Sequence, residues 1–314
     1  AIQQKNYEKK NKMSLVIFID GQFYDEKEAK VSVLDHGYLY GNGCWTTLMT
    51  YNHKIFMLNE HIDRLYESAK LIQLNVPWSK EQVIKWTIET YNKNKHNPGR
   101  KRIRISFSKG VAQDVLLESG SNSKPSINII VSKYPEEKEL LALEKGLRVI
   151  VVHLERVFPE SKNCNFLPSY FAIKEARDKG KNDAFFENRS GFITESTTGN
   201  IFFFKDNILY TTSSQILKGV TRKIIIDFAK KKGIKIIEKM FKLGELLCAD
   251  EIFISGTTKL IVPVISINDK KIGNGKPGFQ TINLRTNLSD HLFSFDSIEN
   301  NTYATSTEAM RNVK

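Results

Sequence analysis

The sequence predicts a two-domain protein of mixed α and β structure, of the α+β or α/β class. Its 314 residues suit about two domains at roughly 150 residues each. A charged stretch that begins with a proline, PEEKE at 135–139, is the best linker in the chain. On both sides of it, strand-like alternation gives way to apolar residues at helical spacing. We predict a disordered basic lead at 1–14, a smaller N-terminal α+β domain at 15–134, a larger C-terminal domain at 140–287 and a polar tail at 288–314.

The N-terminal domain opens with a predicted hairpin, because apolar runs flank the Asp-Gly pair at 20–21. Strand segments broken by glycines follow. Two helices come next: Asn59 is a candidate N-cap for the first, and Ser79 with Gln82 forms a capping box at the start of the second. Two alternating segments, RIRISFS and SINIIVSKY, then predict a pair of strands around a polar loop.

The C-terminal domain alternates strands with helices. GLRVIVVHL predicts its first strand, a helix follows at about 167–180, and AFFEN, FITES, NIFFFKD and ILYT predict four more strands. A glycine turn then leads into a helix. The predicted buried side of that helix consists of Ile224, Ile225, Phe228 and Ala229. EIFISGTTKLIVPVISI predicts a strand, a turn and a strand before a weak final helix, and from Leu288 onward we expect a frayed tail.

Composition excludes several classes of function. The net charge is +12, but the basic residues are spread along the chain and no helix-turn-helix, finger or RNP pattern accompanies them, so we expect no nucleic-acid partner. No apolar run approaches the roughly 18 residues that span a bilayer, so we expect no membrane partner. With a polar start and no signal core, the sequence predicts a cytoplasmic protein. Three scattered cysteines and six histidines without ligand spacing predict neither disulfides nor a metal.

Three features could bind an anion, although each has an ordinary structural explanation. Gly-Val-Thr at 219–221 stands where a loop enters a helix, and unpaired N–H groups there favour a phosphate. A plain N-cap is the alternative. Gly-Thr-Thr at 256–258 offers two hydroxyls in what could be any tight turn. Arg64 could turn its guanidinium inward to a phosphate or pair with a neighbouring carboxylate outside.

Two further residues could carry chemistry. Lys162 lies in a charge-poor stretch just before an amphipathic helix, and on its own it is most simply a surface lysine. Glu195 stands among hydroxyl residues in a turn after a short hairpin, and on its own it is most simply a turn residue. Spacing alone does not single out either residue.

Six motifs taken in order resemble the class IV aminotransferases, the fold type IV pyridoxal-phosphate enzymes. That family includes branched-chain aminotransferases, D-amino acid aminotransferases and aminodeoxychorismate lyases. The resemblance covers roughly residues 15–285. The motifs are LDHGYLYGNGCWTT, IFMLNEHIDRLYESAKLI, ESKNCNFLPSYFAIKEA, GFITESTTGNIFFFKDNILYT, ILKGVTRK and ADEIFISGTTKLIVPVISI.

The resemblance implies a fold, a cofactor and roles. The fold would be like that of D-amino acid aminotransferase, with a barrel-like C-terminal domain, and the cofactor would be pyridoxal 5′-phosphate. Lys162 would be the catalytic residue: it would bind the cofactor and move protons between the substrate Cα and the cofactor C4′. Glu195 would pair with the pyridine nitrogen. The implied phosphate ligands are Arg64, Val220, Thr221, Thr257 and Thr258.

The resemblance leaves the substrate open. It implies a substrate pocket lined by Tyr40, Trp45, Thr47, Arg104 and Ser106. The segment NEHIDRLYESA is most similar to the D-amino acid aminotransferases. Residues 111–114, however, lack the Arg-x-His pair with which those enzymes bind the substrate carboxylate. The counter-charge would then come from Lys109, Arg104 or Arg102.

Other members of the family fit in part. Trp-Thr-Thr at 45–47 replaces the Phe-Glu-Gly of branched-chain enzymes, and Asn-Phe-Leu at 165–167 replaces Asn-Tyr-Leu. Gly-Cys-Trp-Thr-Thr at 43–47 is similar to a motif of the aminodeoxychorismate lyases. The resemblance implies amino transfer between an amino acid, of D-amino acid or branched-chain type, and a 2-oxo acid. The alternatives are a lyase that releases pyruvate and a basic interaction protein without cofactor. Relatives are homodimers, so a homodimer is expected.

Overall fold

The structure is a computed structural model that describes residues 14–96, 98–111 and 123–293. Nearly all of the predicted lead and the tail beyond Phe293 lie outside these residues. The helices described are α1 (His36–Tyr40), α2 (Leu58–Leu71), α3 (Lys80–Asn94), α4 (Glu136–Lys145), α5 (Leu167–Asp178), α6 (Val220–Lys231), α7 (Leu243–Leu247) and α8 (Phe279–Phe293).

The strands described fall into two sheets. Those of the first half are β1 (Val16–Ile19), β2 (Gln22–Asp25), β3 (Gly43–Tyr51), β4 (Lys54–Ile55), β5 (Lys101–Val111) and β6 (Lys124–Lys133). Those of the second half are β7 (Leu147–Val152), β8 (Asp183–Glu187), β9 (Phe192–Ser196), β10 (Asn200–Lys205), β11 (Ile208–Thr211), β12 (Ile236–Glu238), β13 (Phe241–Lys242), β14 (Glu251–Gly256), β15 (Leu260–Ile267) and β16 (Lys270–Lys271).

The first sheet is antiparallel, with six strands in the order β2-β1-β6-β5-β3-β4. Its hairpin turns at Asp20-Gly21, which confirms that prediction. Helices α2 and α3 pack against this sheet and bury a common apolar core. The capping box of α3 is confirmed, since Ser79 and Gln82 each bond the backbone of the other. Helix α2 begins earlier than predicted, with Met57 rather than Asn59 as its N-cap.

Residues 36–40 form a short helix where the sequence predicted strand runs. Asp35 caps it: one carboxylate oxygen accepts from the N–H of Gly37 at 2.6 Å, and the other accepts from the Ser108 hydroxyl at 2.7 Å. Gly41 ends it in the left-handed conformation, which suits glycine. The caps at both ends therefore favour a helix here, although the apolar residues of the segment alternate as in a strand.

The second sheet has ten strands and curls into a half-barrel. Its order is β12-β11-β10-β14-β15-β7-β8-β9-β13, with β16 on β15. The strands predicted in this half are confirmed at AFFEN, FITES, NIFFFKD and ILYT. Helix α6 is confirmed as well, but its buried side includes Ile226 in place of the less buried Ile224.

A helix rather than an open linker connects the two sheets. Pro135 precedes α4, and Glu139 in the first turn is only 7% exposed. One Glu139 oxygen accepts from Arg100 of the first half at 3.0 Å, and the other accepts from Arg285 of α8 at 2.8 Å. One of the charged residues that predicted a linker, Glu139, therefore forms a buried ion cluster with arginines of both halves. The domain boundaries themselves stay a prediction.

The frayed tail predicted from Leu288 was wrong for residues 288–293. Helix α8 continues to Phe293, and its buried residues Leu284, Leu288 and Leu292 recur every four positions. Phe293 stacks on Tyr51, with ring centroids 3.9 Å apart. The large apolar residues that this helix buries form a single row, so the helical periodicity of its sequence is weak. The sequence therefore did not predict that residues 288–293 pack in the core.

Candidate active site

A cavity of about 370 Å³ lies where the two halves meet. It is lined by residues of β3, β5 and α2 from the first half and by the loops around β7, β9 and β14 and the start of α6 from the second. Of the residues proposed from the sequence, the following line it: Trp45, Thr47, Arg64, Arg104, Lys162, Glu195, Val220, Thr221, Thr257 and Thr258.

Two of the predicted pocket residues do not line this cavity. Tyr40 lies at the end of α1 with 45% of its surface exposed. Ser106 instead accepts a hydrogen bond from Nε of Arg104 at 3.3 Å, so it supports a cavity residue from behind. Lys109 is also absent from the lining, whereas Arg102 is part of it. Residues 112–114, where the Arg-x-His pair is missing, lie outside the described residues.

Backbone contacts fix the loop that carries Lys162. The N–H of Trp45 donates to the carbonyl of Lys162 at 2.9 Å, and the N–H of Lys162 donates to the hydroxyl of Ser68 at 3.1 Å. The indole N–H of Trp45 also donates to the carbonyl of Asn163 at 3.1 Å. Strand β3 and helix α2 of the first half therefore hold a lysine that belongs to the second half.

The amine of Lys162 is set up to be neutral. Burial holds the pKa of Lys162 well below its usual value, and the positive charges of Arg64 and Arg156 lower it further. Glu195 opposes this shift. The Nζ atom of Lys162 lies 4.0 Å from the centre of the Trp45 ring. A neutral amine at this place can accept a proton or attack a carbonyl carbon.

Glu195 is buried and paired with a residue that sequence reasoning missed. Arg156 bonds one Glu195 oxygen and also donates to the carbonyls of Pro159 and Ser161, at 3.2 and 2.9 Å. The other Glu195 oxygen accepts from the N–H of Leu217 at 3.2 Å. Burial raises the pKa of Glu195, while Arg156 and the Leu217 N–H favour its ionised form. Arg156 has no motif around it that could have identified it.

Arg64 faces the cavity from α2. Its Nη2 donates to the Thr46 hydroxyl at 2.9 Å and lies 3.2 Å from Nδ1 of His61. Its Nε is buried and has no hydrogen-bond partner among the described residues. Burial lowers the pKa of Arg64 to about 10, so it stays charged near neutral pH. Nε2 of His61 lies 3.5 Å from the Thr257 hydroxyl, and burial lowers the pKa of His61, which keeps the ring neutral.

The start of α6 forms the opposite wall. Gly219 is the N-cap and provides no side-chain cap, so the first N–H groups of the helix remain open to the cavity, beside Thr221. A Cβ at Gly219 would lie 2.4 Å from Oδ1 of Asn200, so a larger residue there would displace the Asn200 amide. Asn200 in turn donates to the carbonyl of Leu217 at 2.7 Å. Ser255, also missed from the sequence, lines the cavity with a buried hydroxyl that has no partner among the described residues.

The remaining wall is basic and aromatic. The guanidinium of Arg104 lies 4.0 Å from the centre of the Trp45 ring, and Arg102 lines the cavity beside it. Burial lowers the pKa of Arg104, and Arg102 adds to that effect, but a guanidinium remains charged. Glu195 is the one acidic residue among those described that line the cavity, and Arg156 already neutralises it. The cavity therefore favours anions.

These groups fit pyridoxal 5′-phosphate. The unpartnered Nε of Arg64, the open N–H groups after Gly219 and the hydroxyls of Thr221 and Ser255 suit a phosphate. Glu195 suits a protonated pyridine nitrogen and Lys162 an aldehyde. In the described part of the chain, no group of three or more His, Cys, Asp or Glu side chains could hold a metal ion. No helix in that part is both long and apolar enough to cross a membrane.

Comparisons with known proteins agree with this chemistry. The family model for amino-transferase class IV matches residues 43–267. The chain is 39% identical to a putative branched-chain-amino-acid aminotransferase of Methanocaldococcus jannaschii, over 87% of the chain and 95% of the relative. It is 31% identical to a D-alanine aminotransferase of Listeria monocytogenes, over 83% of the chain and 91% of the relative.

A solved structure is similar over most of the chain. It is the branched-chain amino acid aminotransferase of T.th. with pyridoxamine 5′-phosphate. The TM-score is 0.82 at 27% identity, and the match covers 89% of this chain and 94% of the other.

Proposed function

Because the chain belongs to the class IV aminotransferases, we propose that its cavity binds an amino acid through an arginine pair and that Lys162 is its catalytic base. The protein is a pyridoxal-phosphate-dependent transaminase of fold type IV. The observation that carries the proposal is the convergence of Lys162, Glu195 and the anion-binding groups of both halves on one cavity. The identity of the amino donor and acceptor is part of the proposal.

When bound, the cofactor supplies an aldehyde for the amino group and a ring that withdraws electrons. Nζ of Lys162 would take the proton from the substrate Cα and would deliver it at the position of the cofactor C4′, since burial and two neighbouring arginines keep the amine neutral. Glu195, held by Arg156, would keep a proton on the pyridine nitrogen. Arg64, Val220, Thr221, Thr257 and Thr258 would hold the phosphate.

The substrate carboxylate would be bound by Arg104, with Arg102 beside it. Arg104 is anchored by Ser106 and lies over Trp45, so its guanidinium is held in place before the substrate arrives. Thr47 lines the same wall. This pair would replace the Arg-x-His pair that the sequence lacks. The substrates would be an amino acid, of D-amino acid or branched-chain type, and a 2-oxo acid.

A panel of half-reactions tests this proposal. The cofactor-loaded protein is mixed with D-alanine, L-leucine, D-glutamate or L-glutamate, and conversion to the pyridoxamine form is followed by absorbance. We expect conversion with at least one amino acid, and Lys162→Ala as the matched control should convert it at least about 10²-fold more slowly. Arg104→Gln should raise KM for the converted amino acid more than it lowers kcat. No conversion in the panel, with pyruvate released from aminodeoxychorismate, would instead favour the lyase.

We also propose that the protein is a homodimer. Large apolar side chains are exposed on and around two short segments, which are α1 with the loop before it and the start of α5. They are Val33, Leu34, Tyr38, Leu167, Tyr170 and Phe171. Exposed large apolar side chains concentrated in short segments are typical of subunit contacts. Light scattering should give twice the monomer mass, and a monomer at micromolar concentration would contradict the proposal. The cytoplasmic location stays a prediction.

A further inference from the structure

Two turns that line the cavity approach each other closely. One is the turn at 196–199 after β9, and the other is the turn at 256–259 between β14 and β15. A Cβ on Gly199 would lie 2.3 Å from the carbonyl oxygen of Ser255, and one on Gly256 would lie 3.3 Å from the carbonyl oxygen of Thr198. The two turns therefore pack closely against each other and form one wall of the cavity.

A largely buried ion pair ties these turns together from behind. Nζ of Lys259 lies 3.6 Å from Oδ2 of Asp183, and their side chains are 19% and 7% exposed. The same Nζ donates to the hydroxyl oxygen of Thr198 at 3.1 Å. Oδ1 of Asp183 accepts from the hydroxyl of Thr197 and from the N–H of Ala184. Lys259 itself does not line the cavity.

This arrangement decides which threonine can donate into the cavity. A hydroxyl has one proton to donate and can accept with its lone pairs. Thr197 donates its proton to Asp183, so it has none for a ligand. Thr198 accepts from Lys259, so its own proton stays available, and Thr198 is among the residues that line the cavity. A cation behind the oxygen also strengthens that O–H as a donor.

We propose that Lys259 is a positioning residue that directs the O–H of Thr198 toward an anionic oxygen in the cavity, belonging either to the substrate carboxylate or to the cofactor. The inference rests on the proposed function of this cavity, but it concerns residues that act behind the site. Asp183 holds Lys259 in place and occupies Thr197, so of the two threonines in the turn at 196–199 only Thr198 keeps a hydroxyl proton for the cavity.

A double-mutant cycle tests the inference. Thr198→Val removes the donor, Lys259→Met removes the cation that directs it, and the double variant removes both. Two binding constants are measured for each protein: pyridoxal 5′-phosphate to the cofactor-free form, and 2-oxoglutarate to the loaded form by tryptophan fluorescence. A hydrogen bond to a charged group corresponds to roughly a 10- to 150-fold change in affinity. We expect each single variant to weaken one of the two constants by about tenfold or more.

The double variant should then be no weaker than Thr198→Val alone, since Lys259 has nothing left to direct. Coupling in the binding constant for pyridoxal 5′-phosphate assigns the anionic oxygen to the cofactor. Coupling in the binding constant for 2-oxoglutarate assigns it to the substrate. Lys259→Arg should retain most of the affinity. Lys259→Met leaves the Asp183 carboxylate without its cation, so the cycle is repeated in proteins that also carry Asp183→Asn. The coupling between residues 198 and 259 should persist in that background.

Additive losses in both arms, or no loss in either, would overturn the inference, because a lysine with a merely structural role would act independently of the Thr198 hydroxyl. If Lys259→Met does not fold, Lys259→Ala takes its place with the same two outcomes. If the cycle shows coupling but the wild-type protein converts no amino acid, the result would contradict the proposed transamination and leave this inference standing.

Discussion

Replacing Arg156 with methionine should remove the counter-charge of a buried carboxylate. The side chains of Arg156 and Glu195 are only 15% and 5% exposed, so solvent cannot take the place of the lost partner. Breaking a buried pair on one side costs about 3–5 kcal/mol. This cost includes the hydrogen bonds to the carbonyls of Pro159 and Ser161, which are worth about 1 kcal/mol each. We expect the free energy of unfolding of the cofactor-free protein to fall by roughly 3–5 kcal/mol near pH 7.5.

The loss should depend on pH in a defined direction. Burial already raises the pKa of Glu195, and removal of Arg156 raises it further. A carboxyl whose pKa is higher in the folded protein binds a proton that the unfolded chain has released, so stability falls as the pH rises above the usual value of the carboxyl. The variant should therefore be closest to wild type near pH 4 and furthest from it above the raised pKa.

Urea unfolding of the cofactor-free proteins at both pH values measures this effect. The matched control is the double variant Arg156→Met with Glu195→Gln, which buries no charge and should recover part of the lost stability. The reasoning is refuted if Arg156→Met lies within about 1 kcal/mol of wild type at pH 7.5, the range of an exposed ion pair. It is also refuted if the double variant is no more stable than the single one.

Three further changes test other parts of the site and fold. Lys162→Ala should slow the half-reaction by at least about 10²–10⁴-fold, because the general base is lost; stopped-flow absorbance measures it, and an undiminished rate would contradict the assignment. Arg64→Met should weaken pyridoxal 5′-phosphate binding roughly 10- to 150-fold but leave pyridoxal binding unchanged. It should also raise the pKa of Lys162, so the acidic limb of the pH–rate profile moves to higher pH; a limb that stays in place would show that Arg64 does not act on the amine. Leu288→Ala should lower the free energy of unfolding by about 2–5 kcal/mol, and a negligible loss in urea would show that α8 is not part of the core.

Local rules of sequence account for many of the elements. The Asp-Gly pair at 20–21, the capping box at Ser79 and the glycine before α6 each act within four residues, so their patterns predict structure directly. Lys162 and Glu195 have no such local signal. They were assigned through the resemblance of six ordered motifs, and the structure brings both to one cavity.

The sequence by itself determined most of the strands and helices, several turns and caps, and the family, because these are carried by short motifs along the chain. Only the tertiary structure decided that Arg156 pairs with Glu195, 39 positions away, and that Lys259 reaches Thr198, 61 positions away. It also shows that the predicted linker is part of a helix, in which Glu139 binds arginines of both halves. Burial and long-range charge set the protonation of Lys162, and neither quantity can be read from adjacent residues, because both arise only when distant segments exclude water together.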